Sequence, residues 1–484
     1  MMNALEKLNH CVWGLPTILL ILGTGLYLSI KTGFIHLTRF PAACKHFIKK
    51  LKPGNQDSGE VSAYQALCTA LAATVGTGNI AGVAGAISLG GPGAIFWMWI
   101  CAFFGMILKC AEATLAVRFR RRAPSGEWMG GPMYMIEDGL GKRWKWLAVL
   151  YAMFGVVAAF GVGNATQINA VLGGIRSACA WWGLEFPQSW QLLIAGVLAI
   201  LIAVILSGGA NRIGRIAEML VPYASIGYIL LGLGVLVLCR QQIPAAFTSI
   251  FVGAFNPRAV TGGMIGSAFL ACRTGSARGV FTNEAGMGTA SIAHASAKVS
   301  HPAEQGLMGI IEVFLDTIVI CTITALVILC SGVGIPYGND SGAELTTAAF
   351  STVYGGWVSV VIALALVCFA LATVIGWGYY GLRCAQYLFG NHILKFFIGM
   401  QFVTVMLTAL LKTSTVWLLA ETVNGLMAIP NLIALLGLSP EFSRLMKEYK
   451  KQCYGGIYEN INQCKSMRAV SNAEIPSACG SGTK

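Results

Sequence analysis

An all-α polytopic membrane protein with about eleven transmembrane helices is the fold class this sequence predicts, on three observations. The chain of 484 residues is 56% hydrophobic and only 11% charged, whereas a soluble domain carries roughly 25% charged residues. Its apolar residues come in long blocks such as 12–30 and 194–206, and about 20 apolar residues in a helix cross ~30 Å of hydrocarbon. Its basic residues crowd onto alternate loops, as the positive-inside bias requires. A cleaved signal peptide is disfavoured for the first block, because no small-residue cleavage site follows it and further apolar blocks come behind.

The elements follow from setting each block against the charged or Pro/Gly-rich breaks around it. An extra N-terminal helix covers 12–30. Five spans follow at 62–89, 93–117, 146–172, 192–206 and 216–238, then five more at 260–297, 306–330, 357–379, 393–411 and 415–436. With the N-terminus outside, one side collects Lys31, Arg39, Lys45, Lys49, Lys50, Arg118, Arg120 to Arg122, Lys142, Arg143, Lys298, Arg383 and the basic residues of the tail. The other side receives only Lys7, Arg176, Arg240, Arg258 and Lys412. This distribution predicts a cytoplasmic C-terminus in the cell inner membrane.

The predicted organisation is therefore an extra helix and basic cytoplasmic loop (1–61), a first five-helix repeat (62–238), an external connecting segment (239–258), a second five-helix repeat (259–438) and a polar cytoplasmic tail (439–484) read as mobile. The net charge of +13 reports this topology rather than a nucleic-acid partner, and the lipid bilayer is the partner that the composition implies. No obligate protein partner is evident. The fifteen cysteines show no CxxC or Cys/His metal spacing, so they read as small buried hydrophobes rather than disulfides or zinc ligands.

Five is odd, so the second group of spans must enter the membrane from the opposite face, the requirement for an inverted-topology repeat. The opening span of each half is interrupted by glycines, at 74–79 in one and at 274–279 through 285–288 in the other. Each glycine costs ~1 kcal/mol in a helix interior relative to alanine. Close helix packing is the usual role of a lone glycine in a membrane helix and suits Gly78, Gly82 or Gly105 taken singly. The run Gly76-Thr77-Gly78-Asn79 and the second polar break argue instead for unwinding, which in a membrane must be buried or line a wet cavity. Unwound ends offer N–H groups to a carboxylate and carbonyls to a cation, a ligand set that a zwitterionic amino acid with sodium uses in full.

The longer motifs are 75–84, 90–99, Gly130-Gly131-Pro132-Met133-Tyr134, 278–286, Gly376-Trp377-Gly378-Tyr379-Tyr380-Gly381 and 424–431. Across 61–440 they resemble the alanine or glycine:cation symporter family, the sodium:alanine symporters, a branch of transporters with the leucine-transporter fold. The resemblance implies sodium-coupled import of alanine or glycine by alternating access, with sodium co-transported, no organic cofactor and no enzymatic activity. It places the substrate carboxylate on the backbone of Gly76, Thr77 and Gly78, with Asn79 holding the break. Gln167 then reaches the polar end of the substrate, while Phe281, Asn283 and Trp377 close a small pocket. For sodium it implies carbonyls of Ala72, Val75 and Phe369 and the hydroxyl of Thr373. The family usually has a Ser-Thr pair where this chain has Ala372-Thr373, leaving one hydroxyl. Met135 and Glu421 stand where Tyr and Asp are common.

Ionisable groups inside spans are functional hypotheses by default. Lys109 and Glu112 are spaced to pair on one helix face. Arg278 and Glu284 flank the second break as a gate or brace, and Asp316 is a candidate proton or cation site. A channel would need repeated filter segments, and an enzyme a His/Asp or Ser/His constellation at membrane depth; neither is found. A proton-coupled amino-acid carrier, or a channel or sensor retaining the carrier fold, is the alternative.

Overall fold

The structure is a computed structural model that describes residues 2–51, 61–123, 126–265, 267–410 and 413–452. It is a helical bundle with one two-stranded hairpin, Arg121–Arg122 (β1) against Trp128–Met129 (β2). Helices α1 (Met2–Val12) and α2 (Leu15–Thr32) meet at Gly14, followed by Pro16, and α3 (Phe40–Leu51) comes next. The first broken span comprises α4 (Ala63–Thr74), a tight turn at Thr77–Asn79 and α5 (Ala81–Gly90), bent by 52°. The rest of the first half is α6 (Gly93–Arg118), α7 (Lys145–Phe160), α8 (Thr166–Trp181), α9 (Gln188–Leu206) and α10 (Gly209–Leu238).

The second half begins with α11 (Ile243–Phe255), a helix in the segment expected only to connect. Then come α12 (Ala268–Asn283), α13 (Thr289–His294), α14 (Pro302–Val313), a π-helical stretch Phe314–Cys321, and α15 (Thr322–Cys330). Helices α16 (Ala343–Tyr354), α17 (Val358–Phe389), α18 (Leu394–Thr408) and α19 (Thr413–Gly437) complete it. Among the described residues eight helices are long and apolar enough to cross a membrane, or nine with the bent pair counted as one span.

Two expected spans fall outside that set for visible reasons. At 260–297 the helix α12 is 16 residues long, carries Arg273 and Arg278, and stops at Asn283. At 393–411 the helix α18 has 15 residues. The expected interruption at 274–279 is also corrected, since α12 winds straight through it. Gly275 is there for contact: a Cβ on it would lie 2.2 Å from the Ala94 carbonyl oxygen of α6. Close approach of two helices, not unwinding, is what that glycine permits.

The tail departs from expectation as well. Residues 439–452 are helical (α20), and Phe442, Leu445 and Met446 are buried against the bundle. Spacings of three and one put those three on one face, a stripe too short to register as a period. Arg118 at the end of α6 pairs with Glu441 at 2.9 Å, and Lys31 donates to Ser439 at 2.7 Å. The tail beyond 452 lies outside the described residues.

Candidate functional site

The first break is made by a change of hydrogen-bond partner. In a continuing helix the Gly76 N–H would bond to the Ala72 carbonyl; here it donates to Asn79 Oδ1 at 2.8 Å. The Asn79 N–H would bond to Val75 but donates to the Gly76 carbonyl at 3.3 Å. The carbonyls of Ala72 and Val75 thus lose their helical donors in a fully buried stretch. Gly76 lies where a Cβ would come 2.3 Å from Thr373 Oγ1 of α17, so only glycine lets the two segments meet. That Thr373 hydroxyl is buried with no hydrogen-bond partner among the described residues, whereas Phe369, one turn earlier, sits in regular helix.

Around the break the expected residues converge from distant elements. Thr77 Oγ1 donates to Gln167 Oε1 at 2.8 Å, and Gln167 sits just past a π-helical stretch, Gly161–Ala165, that joins α7 to α8. Wide turns of this kind re-aim side chains at functional sites. Phe281 of α12 lies against Gly78, 3.6 Å from where its Cβ would be. Trp377 of α17 covers Gly163, where a Cβ would be 2.3 Å from Trp377 Cβ, and lies beside the Glu284 carboxylate. All of these side chains are almost completely buried.

Asn79 reaches further than holding the turn. Its Nδ2 donates to the Asp316 carboxylate at 2.6 Å and to the Asp316 carbonyl at 3.2 Å. The other Asp316 oxygen accepts from Thr317 Oγ1 at 2.7 Å, Thr317 in turn accepts from Asn283 Nδ2 at 3.1 Å, and Asn283 Oδ1 accepts from the Ala285 N–H at 3.0 Å. One hydrogen-bonded chain therefore joins the two breaks through the π-helical stretch after α14. Each Asp316 oxygen takes one bond of this chain, so the residue braces the two breaks and keeps further lone pairs open to a proton or cation. Asn283, buried among them, also caps its own helix through the Ala285 N–H.

The second break follows at Glu284, which is left-handed (φ 55°), with Gly286 (φ 89°) and Gly288 (φ 78°) after it. Its N–H groups are already taken: Glu112 Oε1 accepts from Gly286 N at 2.8 Å, Gly288 N at 3.1 Å and Asn431 Nδ2 at 2.8 Å. A carboxylate from α6 thus occupies the donors that a substrate carboxylate would need, which leaves the first break as the open one. The expected Lys109–Glu112 pair does not form. Lys109 pairs with Glu312 of α14 at 3.2 Å, and Glu312 also contacts His294 Nε2 at 2.8 Å, all three fully buried.

Arg278 and Glu284 do not form a pair with each other. The Arg278 guanidinium lies 3.1 Å from Glu421 and 3.3 Å from Asp340, while Glu284 accepts from Thr289 Oγ1 at 2.6 Å. Arg278 and Asp340 lie over Gly85 of α5, at the floor of a cavity of about 470 Å³ also lined by Asn9, Trp13, Arg273 and Glu421. Exchanging the charges of Arg278 and Glu421 is expected to recover uptake lost in Arg278→Ala, whereas exchanging Arg278 with Glu284 is not. Initial uptake rates of the two double variants decide between the pairings.

The sequence marks Glu112 as a partner for Lys109 and Asp316 as a proton or cation site, and does not point to Thr317 and Asn431 as their hydrogen-bond partners. Asn431 closes the motif 424–431, the one signal that pointed to it.

The sodium:alanine symporter family matches residues 1–463 of the chain. The sodium/alanine symporter AgcS of Methanococcus maripaludis is 44% identical over 443 residues, which cover 90% of this chain and 94% of that protein. An uncharacterized transporter of Haemophilus influenzae is 42% identical over 452 residues, 92% of this chain and 96% of its own length. Among solved structures, MhsT in complex with L-phenylalanine is similar at a TM-score of 0.57 and 14% identity, over 80% of this chain and 98% of that one. That similarity shows the leucine-transporter fold. This is a multi-pass membrane protein and a cation-coupled amino-acid transporter, not an enzyme. With the match running from the N-terminal helix to the tail, the chain belongs to the sodium:alanine symporter family.

Proposed function

We propose that this protein imports a small neutral amino acid, alanine or glycine, together with sodium. It works by alternating access of two five-helix inverted repeats in the cell inner membrane, with the N-terminus outside and the C-terminus cytoplasmic. One observation carries the reading: the Ala72 and Val75 carbonyls are stripped of helical donors, and Gly76 next to them packs against the Thr373 hydroxyl, which has no hydrogen-bond partner among the described residues. Hard neutral oxygens suit an alkali cation. The substrate carboxylate rests on the backbone of Gly76, Thr77 and Gly78, next to the cation, taking the Thr77 and Gly78 N–H groups because that of Gly76 is held by Asn79, and Gln167 orients its polar end. Phe281 and Trp377 bound the space for its side chain and so favour a small one. Residues packed this tightly leave little room for a long substrate. The cavity above Arg278 is the outer entrance, closed at its floor by the Arg278 ion pairs.

Counterflow of labelled alanine and glycine in proteoliposomes, with sodium, potassium and pH varied separately, tests this. Sodium-dependent uptake abolished by a sodium ionophore is expected; uptake indifferent to sodium but driven by a pH gradient would overturn the ion assignment. Thr373→Ala is expected to raise the sodium concentration for half-activation about tenfold, the scale of one lost polar contact to a charge. Substrate affinity at saturating sodium should change little, and Thr373→Ser should restore the wild-type value. Equal losses in both parameters would remove Thr373 from the cation site.

A further inference from the structure

Helix α3 has three unlike faces. Ala43 is fully buried, and Phe47 packs on Tyr64 of α4 with ring centroids 6.5 Å apart. Pro41, Ile48 and Leu51 form a second, apolar stripe at helical spacing, with Ile48 60% and Leu51 44% exposed. Lys45 and Lys49 are exposed on the third face, and Lys50 is half-buried at the last turn, nearer the side of Ala43. No acidic residue occurs in 7–56, so nothing nearby in sequence neutralises this cluster. From the neighbouring helix only Glu304 of α14 faces α3 with a negative charge, opposite His46.

The placement of α3 gives this pattern a meaning. Its first residue, Phe40, stacks edge-on against Phe314 at 4.8 Å, while His46 lies by Glu304 at the start of α14. Hence α3 descends along α14 from the level of the π-helical stretch to the basic end of the bundle, where Lys31 and Arg118 also lie. An apolar stripe toward acyl chains with lysines reaching toward the headgroups is how an amphipathic helix engages a leaflet.

We propose that α3 is a docking surface for anionic phospholipid headgroups of the leaflet at the basic end. We further propose that it transmits leaflet charge to the first break through Phe40, Phe314 and the Asp316–Asn79 bond. Charge complementarity selects this occupant: each lysine near an anionic leaflet adds about a five-fold factor to the partition. A zwitterionic leaflet offers no such gain. Phe314 opens the stretch that carries Asp316, so a shift of α3 reaches the residue that grips Asn79.

Two readouts on the full-length protein test the proposal, and the first does not depend on what the protein carries. Native mass spectrometry of the purified protein should show phosphatidylglycerol retained over phosphatidylethanolamine. The K45Q/K49Q/K50Q variant should lose that retention, and K45R/K49R/K50R should keep it. In proteoliposomes, initial alanine uptake should rise several-fold when about a third of a phosphatidylethanolamine bilayer is replaced by phosphatidylglycerol. The rise should shrink at about 1 M salt, where screening is nearly complete, and be absent in the glutamine variant. Should the triple variant fail to accumulate, K45Q and K49Q singly should each reduce retention. Retention unchanged in the glutamine variants would overturn the docking site and leave the lysines as topology signals only. Retention lost while the uptake response persists would overturn the transmission to the break.

Discussion

Asn79→Ala is expected to abolish concentrative uptake while leaving a folded, membrane-inserted protein. Asn79 is fully buried, and its amide makes bonds in two directions: it accepts from Gly76 N and donates to Asp316 Oδ1 and to the Asp316 carbonyl. Alanine would leave the Gly76 N–H and Asp316 Oδ1 without the Asn79 amide in a dry interior, at roughly 1–3 kcal/mol for each group and more for the charged one. The cheapest repair is for Gly76 N–H to return to the Ala72 carbonyl and for the helix to rewind. That repair removes the carbonyls proposed for the cation and the backbone proposed for the substrate together. Binding of labelled alanine and sodium-dependent uptake should therefore fail together, with size-exclusion behaviour unchanged. Because Asn79 and Asp316 act as one contact, the double variant with Asp316→Ala should be no worse than either single one. An Asn79→Ala protein with wild-type uptake would show that the break holds without its side-chain clasp.

Lys109→Met is expected to cause the largest loss of stability. Lys109 and Glu312 are both fully buried, and Glu312 is also held by His294, whose Nδ1 meets Gln305 Nε2 at 2.7 Å. Removing one member of a buried ion pair costs about 3–5 kcal/mol, because the remaining charge has no solvent and no counter-ion. Replacing both members by neutral groups is far milder. Thermal unfolding in detergent should thus show a large drop for Lys109→Met and recovery of most of it in Lys109→Met with Glu312→Gln. If the double variant is as unstable as the single one, the pair does not carry the effect. Gln305 also donates to the Ala63 carbonyl at the start of α4 at 3.3 Å, so the same network ties α14 to the first broken helix. An unstable single variant should lose uptake for that reason as well.

The first break was legible because its causes are local. A Gly-x-Gly-Asn run weakens the helix where it stands, and an asparagine three residues past Gly76 is within reach to replace the lost bond. The second break was legible only in part. Glycines at 275 and 279 look like those at 286 and 288, yet the former pack against α6 and the latter adopt positive φ. Composition cannot tell a glycine that admits a neighbour from one that turns the chain.

The sequence by itself determined the helical class, the membrane setting and the position of the first unwound turn. Those properties follow from block hydrophobicity and short-range backbone chemistry, which are written within a few residues of where they act. Tertiary structure alone decided the pairings of the buried charges. Lys109 takes Glu312 rather than Glu112, Arg278 takes Glu421 rather than Glu284, and Asp316 takes Asn79, 237 positions away. A charge buried in a low-dielectric interior pairs with whichever partner the packing of helices brings within about 4 Å. That packing has no signature in the spacing of either residue along the chain.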